Sequence, residues 1–437
     1  MKLLRLPIVL ILSTFIFCTG CFDTSTKKKS NDAQDAEGDE KLVSKSFDVA
    51  MAQYDEMLTT LEKDARFPKS VDDEGQLTLE PIKGWTSGFF PGSLWMIYEY
   101  SDDDKWKAAA EKWTHFLEPL QDYSGDHDIG FRMFNSYGNG LRLTGNSAYD
   151  SVLIRSAQSL CKRFNPNVAA IKSWDKAKSW DGKTEWYYPV IIDNMMNLEL
   201  LFYAFKKTGN PKFEEVALTH ANTTIKDFYR PDYSSYHVVN YDSIAGKILD
   251  KATAQGYADN SAWSRGQAWG LYGFTVMYRE TKDKKYLDHA CQIAKYIMGH
   301  TNLPEDLVPY WDYHVHEEGY QPDWNYRPED YPDIPRDASA AAITASALYE
   351  LSTYTDKNKS ISYIGFADEL LQSLSSDDYL AEVGKNNNFI LKHSVGSIPH
   401  GAEIDKPLIY ADYYFLEALL RKQKLMQNKS LVQSLAH

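Results

Sequence analysis

Asp128 and Asp193 are the two carboxyl groups whose surroundings suit acid–base work. Asp193 stands between Ile191-Ile192 and Met195-Met196. An apolar setting penalises the ionised form and keeps a carboxyl protonated, ready to donate its proton near neutral pH. Asp128 follows His127, so imidazole and carboxyl groups meet at one point. Both aspartates begin stretches of helical periodicity, where Asp commonly caps the helix by accepting a backbone N–H. That structural role competes with the chemical one for the same oxygens. Another such stretch opens with Arg265, Gln267 and Trp269. A guanidinium there offers bidentate pairing to a carboxylate, and an indole offers a face for a sugar ring.

Two other groupings read as structural. Tyr310-Trp311-Asp312-Tyr313-His314-Val315-His316 carries two imidazoles, but without cysteine or an obvious third ligand it reads as pocket wall, so no metal is expected. Asp337 and Ser339 open a further helical stretch, and N-capping accounts for them.

These residues need a scaffold that brings distant segments together. Turn-like segments recur before a helix whose first turn carries an aromatic: Ser101-Asp102-Asp103 before Trp106, Thr144-Gly145-Asn146 before Tyr149, Thr208-Gly209-Asn210 before Phe213, and Thr281-Lys282-Asp283 before Tyr286. Thr355-Asp356-Lys357 is a looser copy. Each follows one helical pattern and starts another, as the turn of a helical hairpin does. Twelve helical patterns are predicted, near 46–65, 88–100, 104–119, 129–143, 147–164, 191–207, 212–228, 263–280, 284–298, 338–354, 359–374 and 408–425. With little strand-like alternation, the expected fold is all-α, a closed (α/α)6 barrel of six hairpins. Helices after the turns are amphipathic and suit an outer layer. Their partners begin with Gly, aromatic and charged residues and suit an inner ring. The inner N-termini, together with long inserts at 164–190, 229–262, 299–337 and 375–407, then surround one pocket, the default place for a site.

Composition limits what the pocket binds. Aromatic residues make up 14% of the 437, including 30 Tyr and 11 Trp, which suits sugar stacking as well as packing. The formal charge is −14, which argues against nucleic acid and against electrostatic capture of long polyanions. At the N-terminus, Lys2 and Arg5 precede an apolar run from Leu6 to Phe17 and then Thr19-Gly20-Cys21. This has the form of a signal peptide over 1–20, too short to span a membrane. Gly before Cys21 resembles a bacterial lipobox, making Cys21 a lipidated first residue and the membrane a partner only through that anchor; plain periplasmic secretion is the other reading. Residues 21–42 are polar and aperiodic and are expected to be a flexible tether. The catalytic domain then occupies 43–437, and Cys161 and Cys291 read as buried thiols.

From about Trp85 to Tyr414 the sequence resembles the unsaturated glucuronyl hydrolases, glycoside hydrolase family 88. The resemblance is carried by Gly84-Trp85-Thr86-Ser87-Gly88-Phe89-Phe90-Pro91-Gly92, His127-Asp128-Ile129-Gly130-Phe131, Asp193-Asn194-Met195-Met196-Asn197, His237, Gln255-Gly256-Tyr257-Ala258-Asp259 and Trp263-Ser264-Arg265-Gly266-Gln267-Ala268-Trp269. It implies an (α/α)6 barrel and removal of a 4,5-unsaturated uronic acid from the non-reducing end of oligosaccharides made by polysaccharide lyases, glycosaminoglycan and ulvan products among them. In it, Asp193 protonates C4 of the C4=C5 double bond and assists water at C5, and Asp128 is the second essential carboxylate. Arg265 and Gln255 contact the uronate carboxylate or the water. His237 lies near the glycosidic oxygen or double bond, and Trp85, Trp180 and Trp269 stack on sugar. His127 lies at the same rim. No metal or organic cofactor is implied. The segment 393–401 lies where the family closes over the next sugar; it offers Ser394, Ser397 and His400 but no following Lys or Arg, which weakens the expectation of a sulfated partner. The competing readings are an unsaturated rhamnogalacturonyl hydrolase, a sugar epimerase, which would want paired histidines at inner-helix starts, and a lipid-anchored glycan-binding protein.

Overall fold

The computed structural model describes residues 24–61 and 65–432, with side chains from residue 37 onward; the leader and Cys21 lie outside them. The chain divides into two units, Met1–Lys41 and Leu42–His437. In the first, the stretch expected as a flexible tether is helical from Thr24, part of a helix Thr24–Thr60. Its Lys, Ala, Gln and Glu residues favour helix and no proline interrupts them. Lack of an apolar stripe removes a face to bury without removing the helix.

In the second unit that helix gains a stripe. Val43, Phe47, Ala50, Tyr54, Met57 and Leu61 recur every three or four residues and are all buried, as a period of 3.6 requires. Besides three short 3-10 turns, eleven further helical runs follow among the described residues: Phe89–Ser101, Asp104–His115, 129–144, Ala148–Cys161, 192–208, Pro211–Phe228, Ser264–Thr281, Lys284–Met298, Ala338–Ser352, Lys357–Leu374 and Ile409–Met426. Two are composite. The run 129–144 contains a π turn at Phe134–Gly138, and 192–208 begins as a 3-10 turn, Ile192–Asn197.

The recurring turns work as local chemistry dictates. Gly145 and Gly209 take φ of 65° and 68° and end their helices in the left-handed conformation, which glycine adopts without a Cβ clash. Asp103, Asn210 and Asp283 then cap the next helix, accepting from the backbone N–H of Lys105, Lys212 and Lys285.

Six helices, Phe89–Ser101, 129–144, 192–208, Ser264–Thr281, Ala338–Ser352 and Ile409–Met426, each pack against the next and the last against the first. The result is a closed (α/α)6 barrel. All 15 residues of Ala338–Ser352 are buried, as an inner stave demands, whereas outer helices such as Lys284–Met298 bury one face. Small residues let the staves approach: a Cβ on Gly273 would stand 2.5 Å from that of Met195.

The inserts enter at the end where inner helices begin, and they carry strands that helical periodicity did not reveal. Pro189–Ile191, Val238–Tyr241 and Ile248–Ala252 form a three-stranded antiparallel sheet with Val238 opposite both Ile191 and Ala252. Shorter hairpins pair Ala177–Lys178 with Glu185–Trp186 and Ser394–Ser397 with Ala402–Lys406.

Candidate active site

At this end a cavity of about 530 Å³ is lined by Trp85, His127, Asp128, Asp193 and Arg265 from the barrel side, and by Trp174, Lys176, Lys178, Trp180, Trp186, Gln255 and His400 from the inserts. Neither aspartate caps its helix. The cap on the helix bearing Asp128 comes from a different stave: Asn197 Oδ1 accepts the N–H groups of Gly130 and Phe131 at 2.8 and 3.3 Å.

Burial raises the Asp193 carboxyl to about 7; the charge of Asp128 adds to the shift, while Arg265 and the indole N–H of Trp269 oppose it. Asp128 is also raised, chiefly by burial, with His127 opposing and Asp126 adding. His127 Nε2 lies 3.3 Å from Asp128 Oδ1. Asp126 accepts the Asp128 backbone N–H at 3.0 Å and receives both terminal nitrogens of Arg132 at 2.7 and 2.8 Å. Sequence reasoning passed over Arg132, because its position within a helical run gives no sign that it is 1% exposed.

His237 Nδ1 accepts the N–H groups of Ala254 and Gln255 at 3.0 and 3.2 Å. Burial holds the ring neutral, well below the usual histidine range, so its proton sits on Nε2. That nitrogen lies 3.7 Å from Asp193 Oδ2. Gln255 lines the cavity with its amide donating to the Gly396 carbonyl at 3.2 Å.

The other predicted side chains differ in what they present to the cavity. Trp269 is fully buried, its ring against Phe131 and Tyr414 at 5.1 and 5.3 Å, so it presents no stacking face to the cavity. Arg265 lines the cavity with both terminal nitrogens engaged. Its Nη1 pairs with Asp337 at 2.9 Å and also meets the Val395 carbonyl, and its Nη2 donates to the Gly396 carbonyl at 2.7 Å. Asp337 therefore both caps its helix, accepting from Ser339 and Ala340, and holds Arg265. Ser394 and Ser397 are both buried and neither lines the cavity, though Ser397 meets Nδ1 of His400, which does, at 2.6 Å. Trp85 and Trp180 do line the cavity, the latter with its ring 4.7 Å from that of His400. Trp174 and Trp186, in the same loop, line it too.

His314 and His316 diverge. His314 stacks on Tyr320 with ring centroids 3.9 Å apart, while His316 Nε2 meets the Tyr326 hydroxyl at 2.8 Å. Candidate ligand atoms of His300, His314 and Glu317 lie within 4.8 Å of one another. Yet Nδ1 of each ring accepts a backbone N–H, from Asn302 and Ala262. This places the ring proton on Nε2, the atom a cation would need. A second cavity, of about 570 Å³, is lined among others by Glu199, Lys206, Arg279 and Glu280. There Arg279 pairs with both glutamates and Lys206 with Glu280, so these four charges are tied to one another.

A raised carboxyl that feels a second carboxylate, in an aromatic-walled pocket at the mouth of an (α/α)6 barrel, is a site suited to a glycoside hydrolase. No family model matches the chain. An unsaturated glucuronyl hydrolase of Formosa agariphila is 43% identical over 427 residues, 97% of this chain and 99% of the relative. An unsaturated chondroitin disaccharide hydrolase of Streptococcus pneumoniae is 31% identical over 87% of this chain and 92% of its own. The crystal structure of an unsaturated glucuronyl hydrolase specific for heparin superposes with a TM-score of 0.80 at 44% identity, covering 90% of this chain and all of that one. The chain belongs to the unsaturated glucuronyl hydrolase family.

Proposed function

We propose that Asp193 and Asp128 carry this hydrolysis by hydrating the vinyl ether of a terminal 4,5-unsaturated uronate. Asp193, protonated, delivers its proton to C4 of the double bond, and positive charge develops at C5 and the ring oxygen. Water then adds to C5 while the Asp193 carboxylate takes a proton from it, so one residue serves as acid and then base. The hemiketal opens to a ketone, and the former anomeric carbon releases the remaining sugar. One water is consumed and the enzyme is restored. Asp128 supplies negative charge that holds the Asp193 proton and faces the cationic transition state. Because the chemistry is at the double bond, the separation of the carboxylates carries no information on anomeric stereochemistry. The observation that carries this reading is the buried Asp193 carboxyl, held at about 7 on the wall of the cavity. Mixing the protein with lyase-generated disaccharides should abolish the ultraviolet absorbance of the double bond as sugar is released. Release without loss of absorbance would exclude the scheme.

The second sugar meets the insert hairpin Ala177–Lys178/Glu185–Trp186. Lys176 and Lys178 line the cavity there and share a single carboxylate, Glu185, at 3.0 and 3.4 Å, leaving net positive charge. The cations lacking in segment 393–401 are thus provided by another loop, which supports a glycosaminoglycan- or ulvan-type product with an anionic group on the second sugar. A panel of sulfated and unsulfated disaccharides tests this; equal kcat/KM throughout would exclude it. For location, the basic start, apolar run and Gly20-Cys21 support a lipid anchor at the periplasmic face. Cys21→Ser should then move the protein from the membrane to the soluble fraction with specific activity unchanged.

A further inference from the structure

We propose that Asn197 is a positioning residue of this active site: by capping the neighbouring stave it keeps the Asp128 carboxylate out of capping and fixes it opposite Asp193. The inference rests on the roles given above to the two aspartates. An Asp at the start of a helix ordinarily turns its side chain back onto the N–H groups of the first turn. Here those donors are already taken. Asn197 Oδ1 accepts both Gly130 and Phe131 N–H groups at 2.8 and 3.3 Å, and Asn197 is fully buried. Only its oxygen can face two donors, so the orientation of the amide is fixed. Asn197 closes the same turn, Ile192–Asn197, that carries Asp193, so one side chain ties the two catalytic staves directly. Gly130 is part of this device: a Cβ there would stand 2.6 Å from Asn197 Oδ1 and 2.7 Å from its Cα, and any larger residue would push the staves apart. A second constraint acts from behind. Asp126, clamped by Arg132, accepts the Asp128 backbone N–H, so the main chain is held while the carboxylate is left to meet His127 at the cavity wall.

If the Asn197 oxygen is removed, the free N–H groups recruit Asp128 as an ordinary N-cap. Its charge then turns from Asp193, whose proton is held less tightly. Asn197→Leu, close in volume but without an acceptor, should lower kcat on an unsaturated disaccharide by about tenfold or more with KM within about twofold. It should also move the alkaline limb of the kcat profile to lower pH. Asn197→Asp, which restores the acceptor, should recover kcat to within about threefold of wild type. A lower melting temperature with wild-type kcat and an unmoved limb would overturn the proposal. Should Asn197→Leu fail to fold, Asn197→Ser, with a shorter acceptor, should show a smaller loss and the same direction of limb shift; an unmoved limb there is equally fatal. Asp128→Asn separates the two ideas. If that variant keeps activity, the role of Asp128 is wrong; if it is inactive while Asn197→Leu is normal, only the positioning role is.

Discussion

Asp193 shows how one environment sets both catalysis and stability. Its folded pKa, raised to about 7, lies above the value an unfolded chain would give, so the folded state holds the proton more tightly. Stability tied to this group is therefore fully present below about pH 4 and is lost as pH rises through about 7. Asp193→Asn should abolish turnover and yet unfold at a higher temperature than wild type at pH 8, by an amount reflecting ~2–4 kcal/mol, with the difference gone near pH 4. Equal melting temperatures at both pH values would mean that Asp193 is not desolvated as the structure has it. In the wild type, kcat should fall on the alkaline side as this acid ionises. Arg265 gives the contrary lesson. Its guanidinium spans Asp337 and the Val395 and Gly396 carbonyls, a geometry that an ammonium cannot reproduce. Arg265→Lys should accordingly lower the melting temperature by several degrees, with KM for an unsaturated disaccharide changed less than about threefold. A tenfold rise in KM at unchanged stability would restore the guanidinium as a direct uronate ligand.

At the scale of elements, the barrel and its inserts divide the work. Inner staves place the carboxylates on rigid helix starts, and the inserts furnish the outer wall of the cavity. The hairpin carrying Lys176 and Lys178 also brings Trp180 against His400 from the opposite loop. Replacing Lys176 and Lys178 together by alanine should reduce kcat/KM for sulfated disaccharides about five- to tenfold while leaving unsulfated ones within about twofold. Parallel losses on both classes would show that the lysines only support the hairpin. Other insert contacts hold the wall in place: Asp412, on the last inner stave, accepts the N–H groups of Ile390 and Leu391 at 3.0 and 2.9 Å.

For the whole molecule, a charge of −14 sets a repulsive long-range field for a uronate, and short-range groups in the cavity must overcome it. Salt screens the former more than the latter. Raising ionic strength from about 20 to about 150 mM should lower KM for an unsulfated unsaturated disaccharide. A KM that rises instead would mean that attraction by the rim lysines dominates even at a distance.

The alternation of capped turns with helical stripes was enough to place twelve helices and to close them into six hairpins. Thr144-Gly145-Asn146 and Thr208-Gly209-Asn210 fix their helix ends by left-handed glycine and side-chain capping, which are local effects and so are written locally. The apolar residues around Asp193 likewise announced its raised pKa, because its neighbours in sequence provide part of its burial. Pairings between distant segments were not legible. Asp337 as the partner of Arg265, Asn197 as the cap over Asp128, and Lys176 and Lys178 as the cations of the rim each depend on which staves and loops the closed ring sets side by side. The sequence by itself determined the helices, their order around the barrel and the carboxyl groups at its mouth, since propensity, periodicity and capping act over a few residues. Only the tertiary structure decided which side chains neutralise one another and which remain free for chemistry, because that depends on burial and hydrogen-bond partners contributed from tens to hundreds of residues away.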